Sequence, residues 1–589
     1  MTDFLLRVPA HPEIEAAPIM VEVLAREGFA EVKLAGAVRL FVRGAAVRSA
    51  DGRMHILGDA YDEAGQPIKP PRLDDLGNVT DGIARLAARV WGQFVALRHD
   101  DRTVELYRDP SSGQPCYICR TKDAFYAASS VDLLRRVTDT AFDICRDGII
   151  RALAYRDLRQ DRTALRQVEE LPPGAAACSA SGGFSYIWQP LKGVNARPMP
   201  GDEIDYQLKA ALLSAVKAQA TGARRIMLEL SGGLDSSLLA LLLAELDIDF
   251  AAVTYFSHHR GEDEGGFARA VCASLGRPWC GKELHALDLR LHESAAAHLA
   301  WPSARLFTQL FDRLARDAMS ELGCDRILSG GGGDGTFCYL QSSAPLLDCL
   351  GNWRTFTQSA NVARDLAMAH DTTIFEVGWR ALRRLGLPRR LTWKRDPSFL
   401  SRDLRWSLSR RAKHSGMDVA WAPRGKCDHL KQMLGIHNHF DAYHSPRREA
   451  LRFPLASRPV IEAALQIPTW QWFEGGSNRA PVRRIATGLL PDEISSRRSK
   501  GGFDGIILDN FLERSGEMKA HLHDGWLASE KIIDVEAVDE EFRRFQETGS
   551  GRINRLMMLW DVEMWVRAAG RRKLPSLGDC QDFRVRPGG

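Results

Sequence analysis

The spacing of apolar and polar positions divides the chain near residue 190. Before it, short apolar runs alternate with Gly, Asp and Asn turns: Val38–Val42, Met54–Leu57, Phe94–Leu97, Val104–Tyr107 and Tyr117–Cys119. Runs of this length between turn residues predict strands. Beyond residue 205 the pattern predicts a helix over Gln207–Gln219, a buried strand over Ile226–Leu230 and a buried helix over Leu238–Leu246. A strand over Phe250–Phe256, a helix over Ala268–Leu275 and a strand at Ile327-Leu328 follow. Alternation of this kind argues for a parallel, doubly wound sheet with ligands outside the carboxyl ends of its strands. The expected fold class is α/β, with a β-rich domain over 1–190 and a doubly wound parallel-sheet domain over 205–570. Residues 191–206 carry Pro198 and Pro200 and read as a linker.

The most informative stretch is Ile226–Glu245, IMLELSGGLDSSLLALLLAE. After the strand, Ser231-Gly232-Gly233 forces a tight turn, because glycines let backbone N–H groups approach a ligand. Strand, Gly-rich turn and helix N-terminus together form an anion site. Ser231, Ser236 and Ser237 add hydroxyl donors. Asp235 would repel a phosphate unless a divalent cation lay between them, and Mg²⁺ suits hard oxygen ligands beside phosphates. The plain alternative is a strand–turn–helix with a Ser-rich cap. No Gly-x-x-x-x-Gly-Lys-Ser/Thr occurs, so the stretch is not a P-loop.

A second Gly-rich loop, Ser329-Gly330-Gly331-Gly332-Gly333-Asp334-Gly335, follows the strand at Ile327-Leu328. Four glycines after a strand indicate a close approach to the backbone. Ser257 ends the Phe250–Phe256 strand on the same side of the sheet. His258-His259 reads as a surface turn, since adjacent residues do not share a face.

Composition removes other classes. No apolar run approaches the ~18 residues of a transmembrane helix, and MTDFLLRVPAHPEIEAAP lacks the form of a secretory signal. Eleven scattered cysteines, with Cys116 and Cys119 the only close pair, give no zinc set. Reduced thiols in a cytoplasmic protein, with no membrane partner, are expected. A formal net charge of +4 does not argue for nucleic acid. It is uneven, however: Arg380–Lys413 holds twelve Lys or Arg against Asp396 and Asp403, with Trp393, Phe399 and Trp406 between them. Such a stretch fits a solvated helical insertion, a docking surface for a peptide or protein, or a single-strand nucleic-acid contact.

SGGLDSS resembles the pyrophosphate loop of the ATP pyrophosphatase superfamily. Gly92-Gln93-Phe94, the turn Arg108-Asp109 through Gly113, Pro115 and Tyr117, and Leu171-Pro172-Pro173-Gly174 precede it in the order found in asparagine synthetases. Those proteins join a glutamine amidotransferase domain of the Ntn-hydrolase kind to a synthetase domain. The resemblance implies ATP cleavage to AMP and pyrophosphate, with adenylation of a carboxylate. It carries nucleotide contacts onto Leu230, Ser231, Gly232, Gly233, Asp235, Ser236, Ser237, Ser257, Ser329 and Gly330. It carries Mg²⁺–pyrophosphate binding onto Asp235 and Asp334. Lys500, in Arg497-Arg498-Ser499-Lys500-Gly501-Gly502-Phe503, matches the lysine that stabilises charge as the amine attacks.

The departures are as telling. The amidotransferase nucleophile is a cysteine at position 2; this chain has Thr2. Little before Val38 resembles the glutaminase pattern, so an inactive, shortened glutaminase-like scaffold is expected. Gly331 and Gly335 stand where asparagine synthetases carry Glu, and Ser457 stands where they carry Asp, which predicts a roomier acceptor site. Pro454-Leu455-Ala456-Ser457-Arg458-Pro459-Val460 is similar to lasso-peptide cyclases, the macrolactam-forming branch. That branch implies a leader-free ribosomal precursor peptide as substrate and a leader peptidase as partner. An ammonia-dependent asparagine synthetase, a β-lactam-type small-molecule cyclase and a non-catalytic nucleotide-binding scaffold remain alternatives.

Overall fold

A computed structural model describes the chain except residues 1, 12, 15, 17, 35, 78–81, 101–102, 112, 139, 193, 195–196, 258–263, 286–288, 303–307, 387–388, 415, 418, 441–446, 498–503 and 572–589. His258-His259 and Lys500 therefore lie outside the described residues.

The short runs before residue 190 pair as antiparallel strands in two six-stranded sheets. The first runs Glu169–Glu170, Tyr117–Arg120, Ala124–Ala128, Asp3–Pro9, Arg39–Arg43, Ala30–Lys33. The second runs Phe184–Tyr186, Ala175–Cys178, Val104–Arg108, Trp91–His99, Met54–Tyr61, Ala46–Arg48. Leu6, Leu40 and Ile118 from one sheet and Leu57, Leu97 and Leu106 from the other form one apolar cluster. Alternate side chains of each strand thus meet those of the facing sheet. Asp3–Pro9 is an interior strand, with Leu5 opposite both Phe41 and Ala128. Burial pushes the Cys116 and Cys119 thiols up to about 12 and about 11, so both are unreactive.

The expected linker is shorter than its composition implies. The helix begins at Gly201 and runs to Ala220, with Pro200 at its N-cap and Asp202 and Glu203 in its first turn. Carboxylates there favour helix against the dipole, and proline before the first turn costs nothing.

The second domain is built on a parallel sheet in the order Trp279–Glu283, Phe250–Phe256, Ile226–Glu229, Arg326–Ser329, Leu451–Arg452. Met227 pairs with Ala251 on one side and Ile327 on the other. Chain order reverses between Ile226–Glu229 and Arg326–Ser329. This is the switch point, where loops diverge and leave a crevice. The helix after the first loop starts at Leu234 and runs to Glu245, earlier than its apolar run alone indicated. Asp235, Ser236 and Ser237 form its first turn.

The domains share a buried apolar cluster and also meet through polar contacts. The Arg458 backbone N–H donates to Ser111 Oγ (2.8 Å) and its side chain to Ala88 O (3.1 Å). Trp188 Nε1 donates to Glu462 (3.0 Å). Arg452 pairs with Asp59.

Candidate active site

Both Gly-rich loops open at the switch point, and what each glycine touches explains its identity. Gly232 has φ +66°, and a Cβ there would lie 2.4 Å from Phe267 Cβ. Only glycine fits that backbone so close to the helix Gly265–Leu275. Gly333 opens a short helix, and a Cβ on it would lie 2.6 Å from Asp235 Cγ. The second loop therefore presses directly on the first helix turn. This contact brings Asp235 and Asp334, 99 positions apart, to one spot.

The two carboxylates converge on a cation. Arg479 Nη1 donates to Asp235 Oδ1 (3.0 Å), Asp235 Oδ2 (3.1 Å) and Asp334 Oδ1 (2.9 Å). Asp235 keeps 11% of its side chain exposed and Asp334 44%. Arg479 itself has φ +56°, the left-handed region that a non-glycine residue seldom adopts. Its guanidinium also lies 5.0 Å from the Tyr339 ring centroid. A strained backbone that aims one guanidinium between two carboxylates is the kind of outlier found at functional sites. Oxygen donors arranged around one cation position fit a hard divalent ion, so Asp235 and Asp334 are the residues that would hold Mg²⁺.

The loop is tied at a second point. Arg497 Nη1 donates to Gly232 O (3.2 Å), and its Nη2 donates to Glu264 Oε1 (3.1 Å). Within the loop, Ser231 Oγ lies 3.2 Å from Ser236 Oγ and accepts from Gly233 N at 3.3 Å.

These groups line part of a cavity of about 1180 Å³. Leu230, Ser231, Gly233, Asp235, Ser236, Ser329, Gly330 and Asp334 all face it. Gly232 is not among its lining residues; it supplies the turn. Ser237 is fully buried with no hydrogen bond to its hydroxyl, and Ser257 is buried; neither lines the cavity. Ser237 lies on the inner face of the first helix turn, which periodicity without neighbours could not fix.

The acceptor-side expectation changes in its details. Gly331 and Gly335 both line the cavity. However, a Cβ on Gly331 would meet the Phe453 ring at 2.8 Å, and one on Gly335 would meet Gln432 O at 3.3 Å. Close packing accounts for these glycines at least as much as a need for room. Ser457 is buried, donates to Pro454 O (2.7 Å) and lies outside the lining. It stands at the N-cap position of helix Arg458–Gln466 with its hydroxyl turned back, away from the helix N–H groups.

Part of the cavity wall is basic. Arg384, Arg389, Arg390, Lys394, Arg411 and Lys431 line it, beside Trp393. Strand Thr392–Lys394 pairs with Arg411–Lys413, with Trp393 opposite Ala412. Lys431 Nζ stands 5.4 Å from the Trp393 ring centroid, and burial draws its pKa below the usual lysine value. The biased stretch is thus partly a cavity wall and not simply a solvated insertion. Sequence reasoning assigned no role to Arg479 or Arg497. Their signal lay in the basic segments Asn478-Arg479 and Arg497-Arg498, whose direction only the fold sets.

With the loops, the carboxylates and the switch point in place, the family comparison is decisive: the asparagine synthase model matches residues 207–567, more than half of the chain. The chain belongs to the asparagine synthase family. That family uses ATP, and the matched region is an ATP-dependent amide-forming synthetase domain. Among curated proteins, none matches the chain. Among solved structures, the chain is similar to the glutamine phosphoribosylpyrophosphate amidotransferase from B. subtilis, complexed with ADP and GMP. That match has 12% identity and a TM-score of 0.22, and covers 43% of this chain and 65% of that one. A second is described as the allosteric regulatory enzyme of purine biosynthesis, at 12% identity and a TM-score of 0.20, covering 48% and 74%. At these scores neither carries an argument about this chain. Among the described residues, no helix is long and apolar enough to cross a membrane.

Proposed function

We propose that this asparagine synthase family member is a macrolactam synthetase. It adenylates an Asp or Glu side chain of a leader-free ribosomal peptide and closes a ring with the peptide's own N-terminal amine. The observation that carries this reading is the continuity of the cavity. Small-molecule pockets run to about 300–1000 Å³. This one reaches about 1180 Å³, and both the pyrophosphate loop and the arginine-rich hairpin line it. A nucleotide fills the part beside that loop; the remainder is lined like a site for a longer, anionic acceptor.

The chain's own groups then divide the chemistry. Backbone N–H groups of the loop after Ile226–Glu229 and the N-terminus of helix Leu234–Glu245 bind the phosphates. Arg479 and Arg497 orient the carboxylate pair and the loop. Asp235 and Asp334 would hold Mg²⁺, which would supply charge neutralisation of the leaving pyrophosphate. The acceptor carboxylate oxygen bonds to the α-phosphorus as the bond to the bridging oxygen breaks and pyrophosphate leaves. The peptide amine then attacks the acyl carbon, loses a proton, and AMP departs. Lys500 stands three positions beyond Arg497, which is anchored on the loop. It stabilises the oxyanion of that second step.

The glutaminase-like first domain acts as scaffold, and a leader peptidase delivers the substrate. The test is mass spectrometry of reactions with a leader-free precursor peptide, beside reactions with aspartate and ammonia. A peptide product one water lighter, with AMP formed in step, is expected. Asparagine in the second set with no dehydrated peptide in the first overturns the reading. Lys500→Met is expected to bind ATP but form little cyclic product.

A further inference from the structure

Helix Ile374–Leu385 carries an apolar arc wider than its packing covers. Val377 and Ala381 are buried, and the helix packs on Ala344–Leu350 and Ser359–Ala369. Phe375, Trp379 and Leu382, at i, i+4 and i+7, form the part of that arc that faces solvent. Phe375 is 89% exposed and Trp379 56%. The same three-helix unit also presents Trp353, 82% exposed, and Phe356. A monomer seldom leaves so much large apolar surface in water without a use for it.

Two features choose the occupant. First, the rings protrude. A protein interface buries its aromatic anchors in a complementary pocket. The headgroup–acyl boundary of a bilayer takes protruding Trp and Phe without shape matching. Second, the stripe is bordered by cations. Arg380 and Arg383 lie on the flanking face of the helix, and Arg354 lies 5.3 Å from the Trp353 ring centroid. Glu376, the acid of this helix, is paired with Arg380 at 2.6 Å. Arginines beside an aromatic stripe complement anionic headgroups.

We propose that this three-helix unit lies on an anionic membrane surface. Phe375, Trp379 and Leu382 reach the acyl boundary, and Arg354, Arg380 and Arg383 lie at phosphate level. The contact is peripheral, since no helix among the described residues could span. Arg384 of the same helix lines the cavity, so the docking face and the cavity wall share one helix. The inference is independent of which amide the enzyme forms.

The test is cosedimentation of the full-length protein with vesicles of phosphatidylcholine alone and of phosphatidylcholine mixed with phosphatidylglycerol. The wild type is expected to sediment with the mixed vesicles and not with the neutral ones. The Phe375→Ser/Trp379→Ser variant should bind the mixed vesicles at least about tenfold more weakly. Arg380→Gln/Arg383→Gln should weaken binding by about tenfold. Circular dichroism melts and ATP binding should stay at wild-type values in both. No sedimentation with the mixed vesicles, or equal sedimentation of the wild type and the aromatic variant, overturns the proposal. So does reversible self-association that the aromatic variant abolishes without any vesicle binding, since the face would then join two copies.

Discussion

The two domains each hold a cluster of polar residues, and the fold treats the clusters oppositely. In the first domain the residues are closed upon one another. Arg108 is fully buried, with its guanidinium on Glu170 (2.7 Å) and Leu171 O (3.1 Å). Glu170 also takes Arg159 and, at 3.1 Å, Trp301 Nε1. Thr2 is fully buried, its hydroxyl donating to Ala45 O (2.6 Å), and Gln114 Nε2 donates to Thr2 O (2.7 Å). In the second domain Asp235, Asp334, Arg479 and Arg497 converge on open space. A motif residue serves as scaffold where neighbouring groups saturate it. It serves as a site where its remaining valences face a cavity.

The largest effect that would sharpen this contrast is on the open set. Asp235→Ala or Asp334→Ala should lower AMP formation by at least about a thousandfold, because phosphate charge is left uncompensated. Thermal melts should stay near wild type. Pyrophosphate release at the wild-type rate from either variant would break the assignment. On the closed set the order reverses. Arg108→Met should cost about 3 kcal/mol of stability, because the buried Glu170 keeps Arg159 and Trp301 but loses one of its two cations. Turnover per folded molecule should hold, and denaturant titration beside active-site titration separates the two.

Burial makes a pH test. The Asp109 carboxyl is fully buried, and desolvation pushes it from 3.8 up to about 6 against the pull of Arg458. The folded state therefore holds a proton that the unfolded state has released. Stability from this group is present below about 4 and is lost as pH rises through about 6, by up to about 3 kcal/mol. Relative to Asp109→Asn, the wild type should weaken across that window; parallel curves would show the site is solvated. The smallest effect concerns Thr2. Thr2→Ala should lose only about 1 kcal/mol for one hydrogen bond. It should leave synthetase turnover unchanged, and no glutamate should form from glutamine. Glutamate released in step with AMP would make the first domain an active glutaminase.

Much of the architecture was legible because local pattern fixes local structure. Phe250–Phe256 is a strand at the expected bounds, and Ile226–Glu229 ends one residue short. SGGLDSS and the four-glycine loop each announced a strand end with close backbone approach, which glycine permits wherever it stands. Asp235 stood out from its loop, and the family resemblance added Asp334.

Direction and distance could not be read in the same way. That Arg479 reaches both carboxylates depends on a left-handed backbone turn and on packing between residues 145 and 244 positions apart. Ser237 and Ser457 carry the right chemistry, yet both turn inward, since helix rotation is set by the partner surface and not by the helix itself. The basic run was visible as charge, but only the pairing of Thr392–Lys394 with Arg411–Lys413 made it a wall of the cavity. Sequence determined which groups were present and which backbone shapes were affordable. Tertiary packing decided which of them meet, because burial and contact between distant segments are properties of the whole fold.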